Sequence, residues 1–279
     1  MKTVFLLVSM ALAMNSIGQK NDAHVILSKG QKFTVHITSS QQADMGMGME
    51  MKNNTSSNNN FFVIDADDKN YIVTSTLTGL KVAMEVMGEQ TTYDSDLKED
   101  SASEIGRSIK NLNIPDTVSI NKYTAEVSAD KKAEPVSKDA TSNPMEGLFE
   151  SLGDQRADMA LSDAFLVIPA GKKIGDSWTD SSSTKEQKTI KTYNIQSIEK
   201  NIATVIIIGN VVSSIQTEAN GMAFTVTMTT KTNTEVIADI KTSLVTKRST
   251  KADITGNLEM MGQSLPISGK STTTSVYEY

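Results

Sequence analysis

The chain has 279 residues, a formal net charge of −6 and no cysteine. That length suits one large or two modest domains, and the missing thiols exclude disulfides, thiolate metal sites and an acylated lipobox cysteine. The acidic balance, with no basic patch interleaved with aromatics, argues against nucleic acid or an anionic membrane surface as partner.

Lys2 followed by the apolar run Val4 to Met14 reads as a signal peptide over residues 1–18, cleaved before Gln19. The run is too short to span a bilayer, which takes about 20 residues, and no later stretch predicts a transmembrane segment. The expectation is an exported protein of the periplasm or extracellular space.

Residues 19–98 read as an N-terminal β-half. Phe33, Val35 and Ile37 alternate with Lys32, Thr34, His36 and Thr38, the pattern of an antiparallel strand with one wet face. Met45, Met47, Met49 and Met51 then recur at every second position. Read as a strand, they place four thioethers on one face, with Gly46 and Gly48 opposite leaving room for close approach. Thioethers suit Cu(I). Yet neighbours two apart on a strand start about 6.6–6.8 Å apart, and the clustered histidines of envelope copper sites are missing. The stripe therefore reads first as pliable apolar filler, second as an adaptable ligand surface. Asp67-Asp68-Lys69-Asn70 marks a hairpin between Phe61–Asp65 and Tyr71–Leu77.

Residues 99–162 read as a helical bridge and linker. Ser101 and Glu104 form a capping box, and Ile105, Ile109 and Leu112 follow at helical spacing, predicting a helix over about 101–111. Residues 128–142 have the composition of a solvated linker. Asn143-Pro144 starts a second helix with Met145, Leu148, Phe149 and Leu152 on one face, stopping at Gly153.

Residues 163–279 read as a C-terminal β-half. Glu199-Lys200-Asn201 and Asn220-Gly221 mark hairpins. Val205 to Ile208 is apolar on both parities, predicting a strand covered on both faces. Met222, Phe224, Val226 and Met228 share one face of a strand, as do Val236, Ala238, Ile240 and Leu244 in the stretch after it. Two short matches suggest that the halves repeat: Ile64–Asn70 with Ile195–Asn201 at an offset of 131, and Leu27–Phe33 with Ile168–Ile174 at 141. The first half is then longer by about ten residues between these anchors.

Chemistry-bearing motifs are sparse. Gly175-Asp176-Ser177 is similar to the nucleophile block of GDS-type esterases, but such a serine needs a base. His24 and His36 both lie upstream, without that family's order. A turn leading into a strand, with Trp178 as its buried anchor, is the plainer reading. No Walker loop, GxGxxG or HExxH is present, and no cofactor or metal is implied.

Four features together resemble a family of uncharacterised secreted Bacteroidota proteins curated as a domain of unknown function. They are the strand entered through Lys29-Gly30-Gln31-Lys32-Phe33, the Met/Gly-rich segment Met45–Met51, Thr92-Tyr93-Asp94-Ser95 before an acidic helix start, and Ile168-Pro169 leading to Ile174-Gly175-Asp176-Ser177-Trp178. The resemblance implies an exported, mainly β protein and carries over no catalytic residue.

The expected fold is mainly β: two related curved antiparallel β-layers, half-barrel or sandwich-like, bridged by short helices. The expected function is non-enzymatic binding of a lipid, another apolar small molecule or an envelope protein on apolar concave faces. Met47, Met49, Met84, Val86, Met222, Phe224, Val226 and Met228 are the candidate lining. The alternatives are a periplasmic serine hydrolase using Ser177 and a methionine-based Cu(I) binder.

Overall fold

In a computed structural model, the structure describes residues 23–44, 46, 48–109, 111–129, 157–219, 222–260 and 263–279. Twelve strands dominate. The first group is β1 (Lys32–Asp44), β2 (Glu50–Ala66), β3 (Asn70–Val86), β4 (Glu89–Asp94), β5 (Asp116–Asn121) and β6 (Val127–Ala129). The second is β7 (Ser177–Ser183), β8 (Gln187–Glu199), β9 (Ile202–Ala219), β10 (Met222–Asp239), β11 (Val245–Met260) and β12 (Gln263–Glu278). The described residues also include a 3-10 turn at Lys98–Ala102 and a short helix α1 (Glu104–Ser108) between β4 and β5, and a short helix α2 (Ala157–Ser162) between β6 and β7.

The mainly β expectation holds, and the two β-halves form one sheet. Its order is β6-β5-β3-β2-β1-β12-β11-β10-β9-β8-β7, with β4 paired to β3. β1 pairs with β12 from Thr34↔Glu278 to Asp44↔Ser268, so the first and last strands are neighbours at the centre. The chain winds outward to one edge, crosses, and meanders back from the other.

The sheet curls. Val25 donates its N–H to Lys122 O at 2.8 Å, and the next residue, Ile26, donates to Thr242 O at 3.0 Å. Lys122 follows β5 and Thr242 follows β10, positions separated by several strands in the sheet order. One end of the sheet therefore bends round until residues 25 and 26 can bridge it. β6 and β7 do not pair, so the barrel stays open.

The core fills that end. Phe33, Val35, Phe61, Val63, Val73, Ile195, Val205, Val236 and Tyr277 join it from the inner face, and Ala160, Leu161, Ala164, Phe165 and Leu166 join from the crossover. The crossover is also held by its backbone. Val245 N–H donates to Ala164 O and Leu166 N–H to Ser243 O, both at 2.9 Å. These bonds satisfy main-chain groups that burial would otherwise leave unpaired. A second cluster (Met51, Leu80, Val82, Met84, Tyr93, Ile105, Ile109) forms where α1 covers the far end of the N-terminal half.

The repeat is real as geometry, but its alignment differs from the sequence matches. Phe33↔Phe61 in β1–β2 corresponds to Trp178↔Tyr193 in β7–β8. The β2–β3 register shift between Val63 and Asp65 recurs between Ile195 and Ser197 in β8–β9. Both meanders open on the same turn. Gly30 (φ 86) donates to Val63 O, and Gly175 (φ 87) donates to Ile195 O. The Gln31 and Asp176 side chains accept from the N–H groups of Ser28 and Lys173. Gly30 thus matches Gly175, not Gly171, because the bulge that the turn caps fixes the correspondence. From Gly30 to Gly175 is 145 positions and from Val63 to Ile195 is 132, so the first hairpin is longer by 13 residues.

Other expectations are corrected. The described residues of 45–51 do not form a strand stripe, and Met45 and Met47 lie outside the described residues. The β1–β2 ladder ends at Asp44↔Glu50, Gly46 and Gly48 have φ of 75° and 78°, and Met49 N–H donates to Gly46 O. The glycines supply the left-handed backbone of a chain reversal. Of the two described methionines, Met49 lies in the turn and Met51 enters β2, where it is buried. Ser101 does not cap a helix over 101–111, because its hydroxyl donates to Lys98 O at 2.7 Å. Ser103 is the cap, accepting from Gly106 N–H at 3.0 Å, and α1 stops at Ser108. Ile105 and Ile109 are buried as the spacing predicted. Residues 128 and 129 end β6 rather than opening a linker, and the rest of that stretch, 130–142, and the helix predicted from Asn143 to Gly153 lie outside the described residues. The run Val205–Ile208 is covered on one face only. A single sheet layer leaves its back to solvent, and Ile208 is 53 % exposed.

Candidate functional site

The inner face is banded. Because every neighbouring pair is antiparallel, one residue per strand lines up in each row across the sheet between the bulges. The lowest rows are the apolar core. A belt of buried polar side chains runs through and above them, with Ser75 opposite Phe61 and Asn59 opposite Val35. Asn53, Ser57 and Asn59 of β2 and Ser75 of β3 are buried, and Asn53 Oδ1, Ser57 Oγ, Asn59 Oδ1 and Ser75 Oγ have no hydrogen-bond partner. The belt continues through Ser39, whose hydroxyl lies 3.0 Å from Thr273 Oγ1. Ser275 faces Arg248, and Thr250 pairs with Thr234 at 3.0 Å between their hydroxyls. Burying hydroxyls and amides without partners is costly, so this belt is the least expected feature of the interior.

In the C-terminal half the belt opens into a cleft of about 400 Å³. Its floor is Gly209, Thr232, Thr234 and Thr250, and one wall is Trp178 stacked on Tyr193, with centroids 4.8 Å apart and planes 4° from parallel. A Cβ on Gly209 would sit 2.3 Å from Thr232 Oγ1, so the glycine leaves room for that hydroxyl in the floor. Arg248 reaches in from β11. Its Nη1 donates to Asp163 Oδ1 at 3.2 Å, its side chain is only 13 % exposed, and its Nε is buried without a partner. Lys191 and Asp180 complete the lining from β8 and β7. Burial pushes the Tyr193 phenol up to about 12, and the nearby Asp180 pushes the same way. Burial also raises the neighbouring Tyr277, with Asp163 adding and Arg248 opposing.

Above the belt, β10, β11 and β12 turn apolar. Val226, Leu258 and Leu265 share one row, and Met228, Gly256 and Ile267 another. These side chains are half-buried, unlike the sealed core below. Val226 and Met228 are the sequence candidates that the fold brings together with new neighbours. Met222 and Phe224 lie on the same strand, with side chains outside the description. Met84 is 2 % exposed and belongs to the second core cluster, with Val86 packed half-buried against it. Met49 is a half-buried turn residue, and Met47 lies outside the described residues.

Gly175-Asp176-Ser177 is a turn and strand start. Asp176 Oδ2 accepts from Lys173 N–H, and Ser177 begins edge strand β7. Trp178 is half-buried and walls the cleft rather than anchoring a core. His36 hydrogen-bonds Asn58 at 2.7 Å in an exposed pair, and His24 tilts against Tyr123. The Thr92–Ser95 block is structural. Tyr93 is buried, and Ser95 Oγ accepts from Leu80 N–H at 2.9 Å.

A family model described as a family of unknown function (DUF6263) matches residues 68–245, from the β2–β3 turn to the first residue of β11. The chain belongs to DUF6263. The matched span holds most of the cleft lining but stops three residues short of Arg248. No curated protein matches this DUF6263 chain. Among solved structures it is similar to the one titled "Lipid-protein interactions in lipovitellin", with a TM-score of 0.49, 8 % identity, and coverage of 91 % of this chain and 26 % of that one. The chain thus spans about a quarter of the lipovitellin chain's length. An outer membrane channel from Pseudomonas putida F1 follows at TM-score 0.26 and 7 % identity, over 91 % of this chain and 97 % of that one. OccK7 from Pseudomonas aeruginosa gives 0.28 and 6 %, over 90 % and 99 %. No helix among the described residues is long and apolar enough to cross a membrane.

Proposed function

We propose that this chain is an exported, non-enzymatic protein of the periplasm or extracellular space whose inner sheet face holds an apolar ligand. The N-terminal apolar run supports export. The observation that carries the binding is the pair of aligned, half-buried rows Val226–Leu258–Leu265 and Met228–Gly256–Ile267. Fully burying one such side chain is worth about 1.5–3 kcal/mol. A sheet that leaves several half-wet on its inner face forgoes part of that gain, and an apolar ligand recovers it. Gly256, between Met228 and Ile267, lets the β10 backbone and the Met228 side chain close over it, so the row stays flat.

Native mass spectrometry of protein purified from its own envelope tests this. A lipid-sized adduct is expected, and it should be lost in Val226→Asp and Leu258→Asp at an unchanged unfolding midpoint. A stable protein that binds neither native nor added lipid refutes the reading.

A further inference from the structure

The cleft below these apolar rows is polar, and its charges are placed for a purpose that the apolar reading alone leaves unexplained. Arg248 is held by Asp163 through Nη1, while its Nε–H is buried and unpartnered. An unpaired donor on a guanidinium that is 13 % exposed is costly, and nothing in the packing requires it. A residue of similar shape without the charge would fill the same space. Lys191 lines the same cleft. Two carboxylates, Asp163 and Asp180, also line it, so the four charges nearly cancel. That balance disfavours a doubly charged phosphate and tolerates a single negative charge.

We propose that Arg248 binds the carboxylate of a single-chain fatty acid, with the acyl tail running up the inner face over Ala252 and Ile254 toward Met228. This rests on the apolar-ligand reading and specifies its headgroup. Arginine suits the role because its fixed donors match carboxylate oxygens, whereas an ammonium offers only a point charge. The distance fits as well. Arg248 to Ile254 is six residues along β11, roughly 20 Å at strand rise, the extent of an extended sixteen-carbon chain laid along the strand. The stacked Trp178–Tyr193 wall flanks the head, and Trp178 is the only tryptophan in the chain.

That single tryptophan makes the test direct. The full mature chain is titrated with palmitate, with methyl palmitate and with acetate, following Trp178 emission and confirming stoichiometry by equilibrium dialysis. Palmitate should bind about ten- to a hundred-fold more tightly than its methyl ester, the ratio expected for one charge-assisted hydrogen bond, and acetate should bind far more weakly than palmitate. In Arg248→Met the preference should vanish while methyl palmitate binding stays unchanged. Arg248→Lys, which keeps the charge and loses the planar fork, should retain only part of the preference and stands in if the methionine variant fails to fold. Pairing Arg248→Met with Asp163→Asn removes both charges and should behave like Arg248→Met alone. A preference that survives in every Arg248 variant, or that the native chain lacks, overturns the headgroup assignment while the apolar reading stands. Acetate binding as tightly as palmitate reduces the site to a simple anion site and overturns it too. Failure of both palmitate and its ester to bind brings down the apolar reading itself.

Discussion

Replacing Leu161 by alanine should destabilise the protein by about 3–4 kcal/mol. Leu161 follows the first turn of α2, is 0 % exposed, and belongs to the main core with Phe33, Val63 and Val205. Losing three carbon groups at about 0.8 kcal/mol each removes roughly 2.4 kcal/mol of transfer energy. The hole adds to this, since a residual cavity of roughly 50 Å³ at about 24 cal/mol/Å³ costs about 1.2 kcal/mol more. Collapse into the hole is blocked on both sides. The strands below are fixed by their ladders, and the crossover is fixed by its bonds to Ser243 and Val245. Urea unfolding followed by circular dichroism is the assay. At an m-value of about 3 kcal/mol/M the midpoint should fall by about 1 M with the slope unchanged. A loss below about 1 kcal/mol would mean that the crossover is a loose cover over a sheet stable without it. The floor and walls of the cleft would then not be fixed relative to one another.

Gly256→Ala should cost about 1–3 kcal/mol in thermal unfolding, the usual range for overpacking, because a Cβ there would lie 2.2 Å from Thr227 O in the adjacent strand; an unchanged melting temperature would show that β10 and β11 can separate freely. Stability should also fall as pH rises from about 10 to about 12. Tyr193 titrates near 10 when unfolded and about 12 when folded, so its contribution is full below the lower value and lost as pH climbs through the higher one. Tyr277 is raised as well and acts in the same direction. Melting temperature against pH measures the slope, and Tyr193→Phe should flatten it; a slope identical in that variant refutes the assignment.

Strand alternation made much of the architecture legible. The parity of Phe33, Val35 and Ile37, and of Val226 and Met228, correctly assigned inner and outer faces, because side-chain direction in a strand depends only on counting by two. The Asp67 turn was equally readable, since its carboxylate caps the N–H groups of Lys69 and Asn70 at 2.7 Å. The methionine run misled because period two is also what alternating glycines produce in a turn, and only the ladder's end at Asp44↔Glu50 separates the two cases. The cleft left one trace: on β11 the inner parity after the bulge reads Arg248, Thr250, Ala252, Ile254, so Arg248 is the single basic residue there.

Local patterns thus determined which residues form strands, which faces are apolar, and where most hairpins turn. They could not decide how the sheet closes on itself. The pairing of β1 with β12, the bridge made by residues 25 and 26, and the crossover that brings Asp163 to Arg248 join residues far apart in the chain. Such contacts depend on the curvature of the whole sheet, and no periodicity within a single strand encodes it.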